Sequence, residues 1–332
     1  MKVYLAFAML LTGISAPGTV RGEVPVGVSD APASSLNGKS GAGLASAIRK
    51  AYAITTLSSV KDVTYTLDDP FTGSVVKISG GQLPAGYVPG EIVPSVWWSE
   101  GKGYGDTLAC DLNNFVPLTA DVKRLKSDYL PGEVTKARYS DAYWSVGTGV
   151  LYGITTDFYA PPEVMRGRLA RTFLYMAVMY PQDIFTVRGF SMMNPSYPYL
   201  QPYGVELFTR WATDYPPSPE EVAWSDYVSS LQGGGNPFVT NPSLAEYIWG
   251  DKDGQIYDDG VTPLPLRSTY RIGGGRVNLT SPHVPADAVW RIDGWVATSA
   301  SYAPEELGVG NHNLEYSSPS TGETGRVMIK IQ

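Results

Sequence analysis

The chain has 332 residues, a formal charge of −7, one cysteine and two histidines. That length suits two domains, and 43% apolar with 17% charged residues is enough for a core, which excludes wholesale disorder. The single Cys110 excludes an internal disulfide framework and a cysteine-cluster metal site, and His283 and His312 leave little room for histidine chemistry.

Residues 1–22 read as a signal peptide: Lys2 is the charged start, an apolar stretch follows to Leu11, and small residues precede Glu23. Thr12, Gly13, Ser15 and Pro17 interrupt the stretch well short of the about 20 apolar residues that a spanning helix needs. No later run is long enough either, so export to a secreted, periplasmic or cell-surface location is the expectation. Residues 23–40 form a Ser/Pro/Gly/Ala-rich lead. Leu44, Ala47, Ile48, Ala51 and Tyr52 recur at helical spacing. Residues 61–78 alternate like strands and turns, and residues 80–94 read as a Gly/Pro-rich loop.

The clearest helix opens at Pro161-Pro162-Glu163, with Leu169, Phe173, Met176, Ala177 and Tyr180 as its apolar stripe and Pro181 as its stop. Another follows Ser218, which with Glu221 makes a capping box. A short third runs over residues 243–249. Residues 255–332 are turn-rich with short alternating runs, such as Val289-Trp290-Arg291-Ile292, and predict a small all-β sandwich.

Three blocks carry a resemblance. The first is Leu36-Asn37-Gly38-Lys39-Ser40-Gly41-Ala42 ahead of a helix. The second is Asp111-Leu112-Asn113-Asn114-Phe115-Val116-Pro117, then Val122 to Lys126, Ser127-Asp128-Tyr129 and Gly132-Glu133-Val134. The third joins Arg166-Gly167-Arg168-Leu169-Ala170-Arg171-Thr172, Trp211, Asp214, Gln232-Gly233-Gly234-Gly235-Asn236-Pro237-Phe238 and Glu246-Tyr247-Ile248-Trp249-Gly250. In order and spacing these resemble the bacterial endonuclease I family of His-Me finger (ββα-metal) nucleases. The resemblance implies an α+β nuclease domain over residues 23–252, followed by the β-sandwich of 255–332. It also implies non-specific hydrolysis of DNA or RNA. A histidine would act as general base, a neighbouring glutamate and a later asparagine would hold Mg²⁺, and an arginine would help with the phosphate charge.

The chain departs from the family where that chemistry sits. Against the motif EHxxPxSWW it reads Gly90-Glu91-Ile92-Val93-Pro94-Ser95-Val96-Trp97-Trp98, so Glu91 stands at the histidine and Gly90 at the metal-binding glutamate. A one-residue deletion would instead keep Glu91 as the glutamate and lose the histidine outright. Lys123 takes the asparagine position, and an ammonium cannot coordinate Mg²⁺. The following basic pair is reduced to Lys126, and Asn114 replaces the histidine of an Asn-His pair. Residues 23–250 hold 16 Lys and Arg against 22 Asp and Glu, a poor balance for meeting a polyanion.

The site expected from these positions has Glu91, Lys126 and Arg171 in catalytic places. Lys123, Arg124, Arg166 and Arg168 would touch nucleic acid, and Asp111, Asn113 and Asn114 would support them. No metal cofactor is expected, and nucleic acid would bind weakly. Three functions follow. One is a secreted, largely inactive nuclease homologue. Another is an active nuclease with Glu91 as base and Lys123 replacing the metal charge. The last is a surface-interaction protein using the β domain for an extracellular ligand. The Asp251, Asp253, Asp258 and Asp259 run reads as a solvated linker rather than a Ca²⁺ loop, and Trp97, Trp98, Trp211 and Trp249 read as packing residues.

Overall fold

The computed structural model describes residues 35–69, 74–98, 105–141, 143–181, 185–259, 262–263, 266, 269–280 and 284–332. The signal peptide and His283 lie outside the described residues.

The first helix, α1 (Gly41–Ala51), buries Leu44 and Ile48 of the expected stripe, with Ala45 beside them, while Ala47, Ala51 and Tyr52 are partly buried against the same core. Two short antiparallel strands follow, β1 (Tyr65–Asp69) and β2 (Ser74–Ile78). The stretch read as loop contains a strand, β3 (Tyr87–Glu91), despite Pro89 and Gly90. Its partner is distant in sequence. After α2 (Gly105–Cys110) and a 3₁₀ turn over Leu112–Asn114, β4 (Phe115–Thr119) pairs antiparallel with β3 and sets Glu91 opposite Phe115. Helix α3 (Ala120–Asp128) starts at once, its N-terminus capped by the Thr119 hydroxyl, which accepts from the Val122 amide at 3.4 Å.

A second sheet has the order β5 (Leu130–Pro131), β8 (Ile154–Ala160), β7 (Ser145–Leu151), β6 (Lys136–Ser140). Helix α4 (Glu163–Met179) then runs through the centre of the domain. Its residues are buried from Leu169 to Met179 on every side, so it is a core helix rather than an amphipathic surface one. Around it lie α5 (Val187–Phe190), α6 (Pro202–Asp214), α7 (Pro219–Gln232), α8 (Pro237–Thr240) and α9 (Leu244–Ile248). Trp97, Trp98, Trp211 and Trp249 are buried in this core, as expected of packing residues. Tyr257 is buried with them, and its backbone pairs with Gly38 and Lys39.

The capping box at α7 is only half formed. Ser218 accepts from the Glu221 amide at 3.2 Å, but the Glu221 carboxylate is taken by Arg171. The acid run is not simply solvated. Asp253 accepts from the Tyr197 hydroxyl at 2.6 Å, and Asp259 accepts from Asn37 at 3.0 Å and from Arg326 at 2.8 Å.

The C-terminal strands are β9 (Thr262–Pro263), β10 (Thr269–Tyr270), β11 (Val277–Asn278), β12 (Val289–Ile292), β13 (Trp295–Val296), β14 (Ser301–Tyr302), β15 (Gly310–Ser317) and β16 (Thr324–Ile331), with α10 (Pro304–Leu307) between β14 and β15. A mixed sheet runs β10-β16-β15-β12-β13 with β9 also on β16, and β11 pairs separately with β14. Alternation along β16 buries Ile329 and Ile331 and exposes Lys330. These isoleucines join Tyr270, Val277, Leu279, Ile292 and Leu314 in a core of their own. His312 belongs to this sheet, where Nδ1 lies 2.7 Å from Asp293.

Candidate active site on the β3, β4 and α3 unit

The turn after β3 is tied down by backbone and side chain together, the Ile92 amide donating to the Asn114 carbonyl at 2.8 Å. Asn114 accepts from the Val93 amide at 2.7 Å and donates to the Val93 carbonyl at 2.8 Å, so its carboxamide continues the β3–β4 ladder by one rung. Glu91, half-buried at the end of β3, accepts from the Ser95 amide at 2.7 Å.

The facing helix contributes two lysines at i, i+3 spacing, which places them on one side of α3. Lys123 is exposed and its Nζ donates to the Pro89 carbonyl at 2.8 Å. Lys126 is 2% exposed; its Nζ donates to the Ile92 carbonyl at 2.9 Å and to the Tyr159 hydroxyl at 3.1 Å. Burial pushes the Lys126 amine down to about 7, opposed by the nearby Glu91 charge. Burial also raises the Tyr159 phenol. Tyr159 comes from β8, and no spacing in the sequence ties it to Lys126. Arg124 lies on the outer side of α3, exposed and 4.0 Å from Asp121.

Asp111, Asn113 and the 3₁₀ turn form a separate buried network. Asp111 caps the turn through the Asn113 amide at 2.9 Å and accepts from the Tyr175 and Tyr180 hydroxyls at 2.7 and 2.6 Å. Burial raises its carboxyl, and those donors oppose the rise. Asn113 reaches the Gly234 carbonyl at 3.1 Å, and Gln232 accepts from the Leu112 amide at 2.9 Å and donates to the Cys110 carbonyl at 2.7 Å. Gln232 was marked only by its place in a matching block and Tyr180 only as part of the apolar stripe, and Tyr175 had no signal in the sequence.

Two of the three arginines of α4, Arg168 and Arg171, turn their donors inward. Arg171, 2% exposed, pairs with Glu221 through both carboxylate oxygens and donates to the Tyr215 carbonyl at 2.7 Å. Arg168 donates to the Phe115 carbonyl at 3.2 Å and lies over Trp224; burial lowers it, with Glu221 opposing. Arg166 stacks over Trp211 and Tyr215. The structure therefore brings Glu91, Asn114, Lys123 and Lys126 together. It directs Arg171 away from them, into the packing between α4, α6 and α7.

The candidate site is thus an antiparallel pair followed directly by a helix, with an acid at the strand end and two lysines on the facing helix. The family model described as Endonuclease I matches residues 35–243, which covers all of these elements. The chain belongs to the endonuclease I family and is thus a nuclease-family protein.

That family is typically metal-dependent, and positions 90 and 123, expected from the ungapped motif to hold the metal, carry no metal ligand in this chain. Position 90 is glycine, and a Cβ built there would lie 2.6 Å from Leu118 Cγ and 2.9 Å from the Val116 carbonyl. A carboxylate at that position has no room without repacking β4. Position 123 ends in a cation. Among the described residues no group of three or more His, Cys, Asp or Glu could hold a metal ion, and no helix is long and apolar enough to cross a membrane.

Proposed function

We propose that this chain is a secreted endonuclease I homologue whose His-Me finger has lost its hydrolytic site, leaving at most weak activity and weak binding of DNA or RNA. One observation carries this reading. Where the family needs a base and a divalent cation, Glu91 is bonded to the Ser95 amide, and the buried Lys126 amine on the facing helix is held by the Ile92 carbonyl and Tyr159. A general base must be within reach of the proton it removes, and an amine neither orients a water nor lowers its pKa as a metal does. The two histidines of the chain lie at 283 and 312, outside residues 35–243. Arg171, the expected phosphate partner, spends its donors on Glu221 and on backbone carbonyls.

The working division is a signal peptide over 1–22, a nuclease-like domain over 23–252 and a β-sandwich over 255–332. The packing of Tyr257 with the first core favours a boundary a few residues later. The second domain, as an interaction module for an extracellular ligand, completes the proposal.

A second reading keeps hydrolysis, with Glu91 as a carboxylate base and the Lys123 charge in place of the metal's; Lys123 stands on the helix that faces β3, its Nζ 2.8 Å from the Pro89 carbonyl. Incubation with supercoiled plasmid and with RNA, in Mg²⁺ and in EDTA, separates the two. The first reading expects at most slow cleavage, no faster than that of Glu91→Ala. Cleavage that Glu91→Ala abolishes would establish the second.

A further inference from the structure

A cation held by positions 90 and 123 would bridge β3 to α3, since one position lies on each element. In this chain the same two elements are already bridged. Lys123 donates to the carbonyl of residue 89 and Lys126 to that of residue 92, so two lysines three apart on the helix meet two carbonyls three apart along the strand and the turn after it. Tyr159 adds a third oxygen and links the bridge to β8.

We propose that Lys123 and Lys126 are paired staples that hold α3 against β3 in place of the family's divalent cation, so that this unit is assembled and kept without a metal. The proposal rests on the loss of the cation site proposed above. Gly90 supports it from the other side, because the space that a ligand's side chain would need is filled by Leu118. The staple at Lys126 holds in either protonation state. A neutral amine keeps two N–H groups, and two acceptors face it. Burying an amine costs free energy unless it is hydrogen-bonded, and here each acceptor is within 3.1 Å. The staples make Lys126 the interior counterpart of the exposed Lys123, and their loss should have unequal effects.

The test uses the full exported chain after treatment with EDTA. Its melting temperature should be the same in MgCl₂ and in EDTA to within about 1 °C, because a ligand that binds the native state raises it and a non-ligand does not. Titration with MnCl₂ should give no saturable uptake. Lys126→Met should melt about 5 °C or more lower, and Lys123→Met less than that. Mg²⁺ raising the melting temperature by about 5 °C, one-site Mn²⁺ uptake, or two lysine variants that melt with the wild type would each overturn the proposal. If Lys126→Met does not fold, hydrogen exchange of Lys123→Met decides. Faster exchange over residues 120–128 is expected, and unchanged exchange would overturn it. The plasmid assay keeps the two readings apart: cleavage in EDTA would remove the loss of hydrolysis and leave the staples, whereas an inert chain that takes up Mn²⁺ would remove the staples alone.

Discussion

Lys126 puts a titration into the stability of the domain. Its amine is pushed down to about 7 in the folded chain, against an ordinary value of 10.5. Between those values the unfolded chain binds more protons than the folded one, so this residue makes stability rise with pH across that window. Below about 7 the cost of burying the charge is present in full. Urea melts at pH 7 and pH 9 should show the rise in the wild type and a smaller one in Lys126→Met. Arg171 offers a second test at this scale. Arg171→Ala leaves the buried Glu221 carboxylate uncompensated and should cost about 3–5 kcal/mol, whereas Arg171→Met with Glu221→Leu should cost far less. Denaturant unfolding of the single and double variants checks this. Asp111 and Asn113 were expected to support the catalytic residues, and the structure bonds them within a buried network of their own. The Arg171–Glu221 pair was not, because its partners lie 50 residues apart and Glu221 already had a local role as half of a capping box.

The helices follow from local signals. Proline in the first turn, the apolar stripe and Pro181 locate α4, and Ser218 locates α7. Ser218→Ala should cost about 1 kcal/mol through the lost cap alone. Strand β3 was not legible, since Pro89 and Gly90 argue against a strand and its ladder is supplied by β4, whose paired residues lie 24 to 32 positions further on. Gly90 is needed there because its neighbour Leu118 packs directly over it. Gly90→Ala should therefore destabilise the β3–β4 pair by about 1–3 kcal/mol through overpacking, read by thermal melting. The same crowding explains why restoring a glutamate at position 90 and an asparagine at 123 would not by itself rebuild a metal site.

Across the whole molecule, α1, α4, α7 and the change of texture after residue 254 were readable from periodicity and turn residues, whereas the strands β3 to β8 and the helices α3 and α6 were not. The tie between the two parts was not. Asp259 accepts from Asn37 of the lead and from Arg326 of β16, a meeting of three distant segments that only the folded chain brings about. The net charge also acts at this scale. With −7 overall and Arg168 and Arg171 turned inward, retention on a DNA column should be weak and lost at low salt. The central claim is tested most directly by the rate of supercoiled-plasmid cleavage by the purified full chain in Mg²⁺. The account predicts a rate no greater than that of Glu91→Ala. A rate well above that variant, whether or not EDTA abolishes it, would contradict it.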